Sequence, residues 1–178
     1  AIEPFQQAVS LSPNRLEPLL QLALAQWKSG ETLQAIASFQ QALTVDPKSV
    51  EALVNLAALQ RDRGELDAAQ SNLQRAVDTS PENFEAHHNL GTVYLLQGDI
   101  ELAKQSWLIA NNLNPNDSRT LLQLGQVYLS EGELNKAEET FFQASAIAPD
   151  QASPWRKLGN LAKYSGCADD AEQFYQRA

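Results

Sequence analysis

Pro13, Pro47, Pro81, Pro115 and Pro149 are separated by 34 residues at every step. Two alanine rows keep the same interval: Ala1, Ala35, Ala69, Ala103, Ala137 and Ala171, and Ala8, Ala42, Ala76, Ala110, Ala144 and Ala178. Between them runs a bulky row of Phe5, Phe39, Leu73, Trp107, Phe141 and Tyr175, and ahead of them a row of Gly30, Gly64, Gly98, Gly132 and Gly166. A chain whose chemistry returns at one interval folds as a row of equivalent units. Each unit buries its apolar face on its neighbours, because one unit alone cannot.

One period reads as two helices. Residues 84–97 carry apolar or small side chains at Ala86, Leu90, Gly91, Val93 and Tyr94, which is helical spacing. Asn83 is placed to cap this helix, with Glu85 in its positively polarised first turn, and Ser49 with Glu51 repeats the arrangement. Gly98 ends the helix, since glycine accepts the left-handed conformation found there. An acidic residue follows each turn glycine (Glu31, Glu65, Asp99, Glu133) and opens a second helix. Proline stops that second helix, because it lacks the amide donor and disfavours helix just before itself. Ala23, Ala57, Gly91, Gly125 and Gly159 on the first helices are small enough to let a neighbouring helix approach, and the bulky row fills the space between.

The stretches HHNLGTVY, LLQLGQVY and PWRKLGN, each followed by a turn glycine, a central Ala, an aromatic, another Ala and in the full repeats a Pro, resemble the tetratricopeptide repeat. Trp155 takes that family's early aromatic place, Leu158 and Gly159 its Leu-Gly pair, and Tyr94 and Tyr128 its tyrosine place. The resemblance covers the chain as one solenoid: a half repeat (1–15), full repeats at 16–49, 50–83, 84–117 and 118–151, and a partial repeat at 152–178. It implies an all-α, right-handed superhelical solenoid of antiparallel helix pairs, here a piece of a longer array. The tyrosine place holds Gln26, Gln60 and Ala162 in three repeats, so looser packing is expected there, with Trp27 compensating in the first. Pro4 falls within a second helix and is expected to delay its start.

In this family the first helix of each pair lines the concave wall, here at places 2, 5, 6, 9, 12 and 13 of each repeat. Place 6 holds Gln21, Asn55, Asn89, Gln123 and Lys157, nearly a ladder of amides. An amide offers both donor and acceptor, so a spaced row suits the backbone of an extended peptide. Apolar groups join them: Leu20, Trp27, Val54, Leu95, Leu96, Leu122 and Leu129, with His88 also facing the wall. A contiguous apolar patch marks a contact site, whereas scattered apolar residues need no explanation. The early wall carries Glu17, Glu51, Asp62 and Glu85 against Lys28 and Arg61; the later wall carries Arg119, Arg156, Lys157 and Lys163 without an acid. An acidic part of a partner is therefore expected toward the later repeats. Arg156 and Asn160 match part of the family's carboxylate clamp for chaperone C-termini, but no three successive repeats carry the whole set.

A composition of 43% apolar and 20% charged residues excludes a disordered tail. No run approaches the roughly 18 to 20 apolar residues of a membrane span, and the opening AIEPFQQAVS does not read as a signal peptide. A net charge of −9 argues against nucleic acid as a partner. The single cysteine, Cys167, forms no internal disulfide or multi-thiolate site. His87 and His88 are adjacent, so on a helix they point about 100° apart and do not converge on a metal. His87 takes an aromatic packing place. Asp169 and Asp170 suit a helix start, and Glu138 and Glu139 a solvated face. No catalytic, cofactor or metal site is expected. The leading reading is a non-enzymatic scaffold holding a peptide or partner protein in the concave groove. The alternatives are a substrate-presenting arm of a larger enzyme, such as a glycosyltransferase, and self-association through open repeat ends bearing Ile2, Phe5, Phe174 and Tyr175.

Overall fold

The computed structural model describes residues 2–178, so Ala1, the first of its alanine row, lies outside the described residues. Eleven helices and no strand occur among these residues. They divide into two compact units, one ending at Asp99 and one spanning Ile100–Ala178.

The first unit holds α1 (Glu3–Leu11), α2 (Leu16–Lys28), α3 (Thr32–Val45), α4 (Val50–Asp62), α5 (Leu66–Thr79) and α6 (Phe84–Gln97). The second holds α7 (Ile100–Leu113), α8 (Ser118–Ser130), α9 (Leu134–Ile147), α10 (Ala152–Tyr164) and α11 (Ala168–Arg177). Even-numbered helices are the first members of the repeats and odd-numbered ones the second. Within the first unit α2 pairs with α3 and α4 with α5, while α3 packs on α4 and α5 on α6; within the second, α8 pairs with α9, α10 with α11, and α9 packs on α10.

The backbone signals land where the residues place them. The span read as helical, 84–97, is α6 itself. Each second helix before a repeat proline ends two residues short of it, at Leu11, Val45, Thr79, Leu113 and Ile147. Ser49 and Asn83 accept hydrogen bonds from the amides of Ala52 and Ala86 at 3.4 and 2.8 Å, and Asp117 does the same for Thr120 at 2.8 Å. The turn glycines all have positive φ, between 77° and 91°. Each turn is then closed by an amide reaching back five residues, as from Glu65 to the Gln60 carbonyl at 2.9 Å. Pro4 sits in the opening turn of α1, which has nine residues against 14 in α3.

The small and bulky rows make the cores. Ala35, Phe39 and Ala42 of α3 pack with Leu19 and Ala23 of α2 and with Ala52 and Leu56 of α4. In the second unit Phe141 of α9 packs with Leu158 and Leu161 of α10. A Cβ added at Gly125 would stand 2.5 Å from the Phe141 ring, and one at Gly159 2.5 Å from the Tyr175 ring. Glycine at these places is what allows the aromatic row to seat directly against the helix backbone.

The tyrosine place corrects the expectation of loose packing. Gln26 and Gln60 are buried, and each side-chain oxygen accepts a hydrogen bond from the partner helix, from Ser38 Oγ at 2.7 Å and Asn72 Nδ2 at 2.8 Å. A buried polar side chain is costly only when unpaired, so the two repeats exchange an aromatic filler for a polar clasp. Ala162 has no such partner, and a cleft opens beside it.

Candidate functional site

Each unit has its own first-helix face, made by α2, α4 and α6 in the first and by α8 and α10 in the second. All five side chains of place 6 are half-buried: Gln21, Asn55 and Asn89 in the first unit, Gln123 and Lys157 in the second. They stand one helical step from the packed positions, which tilts them along the surface rather than into water.

Three of the five have internal work as well. Gln21 Nε2 donates to Glu17 on its own helix at 2.9 Å. Arg61 on α4 donates from Nη1 to Asn89 Oδ1 on α6 at 3.1 Å, and from Nη2 to Asp62 at 2.7 Å. Lys157 on α10 donates to Gln126 Oε1 on α8 at 2.5 Å. The Arg61–Asn89 and Lys157–Gln126 bonds each tie two consecutive first helices of one unit together, so the row braces those helices. An amide has two donor hydrogens and two lone pairs, so a single internal bond does not exhaust it. Gln126 was not singled out by the sequence reading; its place 9, facing place 6 of the next repeat, was the available signal.

The apolar candidates separate by burial. Leu20 is 3% exposed and sits in the α2–α3–α4 core, so it is a packing residue rather than a wall residue. His88 is 8% exposed with its ring 5.9 Å from that of Phe84, so it too is enclosed rather than open to the wall. Trp27, Val54, Leu122 and Leu129 are half-buried against core clusters. Leu95 and Leu96 are exposed, at 38% and 55%.

Among the charged candidates, Arg119 pairs with Asp117 at 2.9 Å, while Arg156 and Lys163 stand exposed on α10. Asp117 is a helix cap with a depressed pKa. Burial opposes its ionisation, but hydrogen bonds from Arg119 and from the amide and hydroxyl of Thr120 outweigh that and hold its carboxyl below the usual range. At the edge of the second unit, the hydrogen bond to Glu131 raises the Lys104 ammonium above its ordinary value. Lys136 is raised, and Glu133 lowered, by their mutual hydrogen bond.

His87 and Trp155 share place 4 and a role. His87 Nε2 lies 2.9 Å from the Pro81 carbonyl, and Trp155 Nε1 donates to the Pro149 carbonyl at 3.0 Å. A carbonyl only accepts, so His87 holds its proton on Nε2. The expected packing role is therefore joined by a tie from the first helix to the proline turn. Tyr175, expected at an open end, is exposed and donates to Asn160 at 2.8 Å; Ile2, Phe5 and Phe174 are half-buried.

Residues 48–178, most of the chain, match the family described as "Cilia and flagella-associated protein 70 C-terminal domain", and residues 20–69 match the one described as "Tetratricopeptide repeat". The chain belongs to the tetratricopeptide repeat family. Among solved structures it is similar to PilF of Pseudomonas aeruginosa, at 27% identity and a TM-score of 0.84, covering 91% of this chain and 74% of that one. It is similar to MamA at 25% identity and a TM-score of 0.76, covering 88% and 91%. It shares its fold with YrrB, described as a tetratricopeptide protein with an unusual peptide-binding site, at 22% identity, a TM-score of 0.77 and coverage of 99% and 91%. No curated protein matches it by sequence. The fold and these neighbours make the chain a protein–protein interaction scaffold, and the tetratricopeptide family is generally non-catalytic. Among the described residues, no helix is long and apolar enough to cross a membrane.

Proposed function

We propose that this scaffold holds an extended peptide segment of a partner protein against the faces of its first helices. The observation that carries the reading is place 6, where all five repeats present a half-buried side chain with hydrogen-bonding capacity, four of them amides. A half-buried amide keeps its geometry when a ligand arrives, so little side-chain entropy is lost on binding. Trp27, Val54, Leu122 and Leu129 flank the row with partly exposed apolar surface, and Leu95 adds more. Arg156 and Lys163 add positive charge on α10, which suits an acidic residue in the bound segment. The 34-residue register runs through residues 99 and 100 without a break, which supports reading 1–178 as one array.

The test begins with peptides selected for binding from a random library. Asn55→Ala with Asn89→Ala should weaken a selected peptide by about tenfold, the loss of roughly 1.4 kcal/mol expected for one or two net hydrogen bonds. Unchanged affinity in a folded double variant contradicts the reading.

A further inference from the structure

The cleft beside Ala162 lies within the second unit, away from the amide row. It has a volume of about 440 Å³ and opens between α9, the end of α10 and the start of α11. Leu134, Phe142, Leu161 and Phe174 supply its apolar lining, Glu138 and Asp170 its charge, and no basic residue lines it.

The same place one repeat earlier is filled. There Tyr128 occupies the tyrosine place, with the ammonium groups of Lys104 and Lys136 at 5.2 and 5.5 Å from the centre of its ring. Lys104 is paired with Glu131 at 2.6 Å, and Lys136 with Glu133. Advancing each of these residues by 34 positions gives the cleft. Tyr128 becomes Ala162, Lys104 becomes Glu138, and Lys136 becomes Asp170; Glu131 and Glu133 become Ser165 and Cys167. The ring is gone, both cations have become carboxylates, and both balancing acids have become neutral. A site that is internally complete in one repeat is thus open in the next, lacking a ring and two positive charges.

We propose that this cleft is a second docking site, taking an aromatic side chain flanked by lysine or arginine from a partner polypeptide. The ring enters the space left by the tyrosine and rests on Phe142, Leu161 and Phe174. The flanking cations face Glu138 and Asp170, which are exposed, line the cleft and hold the repeat positions that Lys104 and Lys136 hold beside Tyr128. The arrangement reproduces, between two chains, the ring-and-cation contact that the preceding repeat makes within one. It is independent of the amide row.

The experiment follows the amide chemical shifts of the whole chain during titration with the peptide Ac-Lys-Tyr-Lys-NH2. Saturable shifts at Ser165, Gly166, Cys167 and Asp170 are expected. Ac-Glu-Tyr-Glu-NH2, which has the wrong charge, and Ac-Lys-Ala-Lys-NH2, which has no ring, should each bind about tenfold more weakly. Ala162→Tyr, which fills the space, should reduce binding by a similar factor. Glu138→Lys with Asp170→Lys should do the same while the circular dichroism spectrum stays helical. Absence of saturable shifts at these amides overturns the proposal. So does equal binding of the three peptides to the unaltered chain, a comparison that needs no variant to fold.

Discussion

Asn72 on α5 donates its side-chain amide to the side-chain oxygen of Gln60 on α4 across 2.8 Å, and neither residue is more than 9% exposed. The bond belongs to a longer chain of contacts. Arg75 donates to Asn72 Oδ1 at 3.0 Å and to the Pro47 carbonyl at 2.9 Å, which links the helix pair to the preceding proline turn. Gln26 and Ser38 form the corresponding clasp one repeat earlier, at 2.7 Å. Where the tyrosine place holds Tyr128, the facing residue is Thr140, whose hydroxyl turns back to its own helix at Lys136.

Asn72→Leu should therefore cost about 1–3 kcal/mol, the penalty of leaving the Gln60 oxygen buried and unpaired. The double variant Gln60→Tyr with Asn72→Thr copies the Tyr128–Thr140 pair and should recover much of that loss. Urea denaturation of Gln60→Tyr alone, Asn72→Thr alone and the double variant measures the coupling. Additive losses would contradict a direct clasp.

Gly125→Ala and Gly159→Ala should differ in cost, although both new methyl carbons would meet an aromatic ring at 2.5 Å. Phe141 is fully buried and cannot yield, so Gly125→Ala should destabilise by about 1–3 kcal/mol through overpacking. Tyr175 is 41% exposed and can swing outward, so Gly159→Ala should cost clearly less. Thermal denaturation of the two variants checks the order.

Asp117 links stability to acid. Its folded pKa lies below the unfolded value, so the charged form stabilises the protein above the unfolded pKa of about 3.9. That contribution is lost as pH falls through the lower folded value. Asp117→Asn retains a capping side chain but removes the charge. The stability gap between the unaltered protein and this variant should be constant near neutral pH and shrink below about pH 4. Melting temperatures across that range test the sign. A gap that widens in acid would contradict it.

Much of the fold was legible because its signals act on the backbone. Proline and glycine at a 34-residue interval mark helix ends through sterics alone, and α6 begins and ends at the residues read from sequence. Side-chain fate was less legible, because it depends on which neighbour a residue meets. Leu20 and Val54 share place 5, yet the first is buried and the second half-buried. Gln26 and Gln60 looked like packing faults until Ser38 and Asn72, 12 residues along, supplied their partners. Ala162 lacked such a partner, and there the expected looseness became a cleft.

On the first-helix face, charge should matter at α10. Lys157 is bonded to Gln126, so the exposed Arg156 and Lys163 are the better probes. Reversing both to Glu should weaken a selected acidic peptide several-fold at low salt. The effect should fade as salt is raised, since exposed charges are screened beyond about 10 Å at 0.1 M.

Hydrogen–deuterium exchange of the chain with and without a selected peptide tests the central claim most directly. Added protection should concentrate in α2, α4, α6, α8 and α10, at the turns of helix carrying Gln21, Asn55, Asn89, Gln123 and Lys157. Protection confined to α3, α5, α7, α9 and α11, with those turns unchanged, would contradict it.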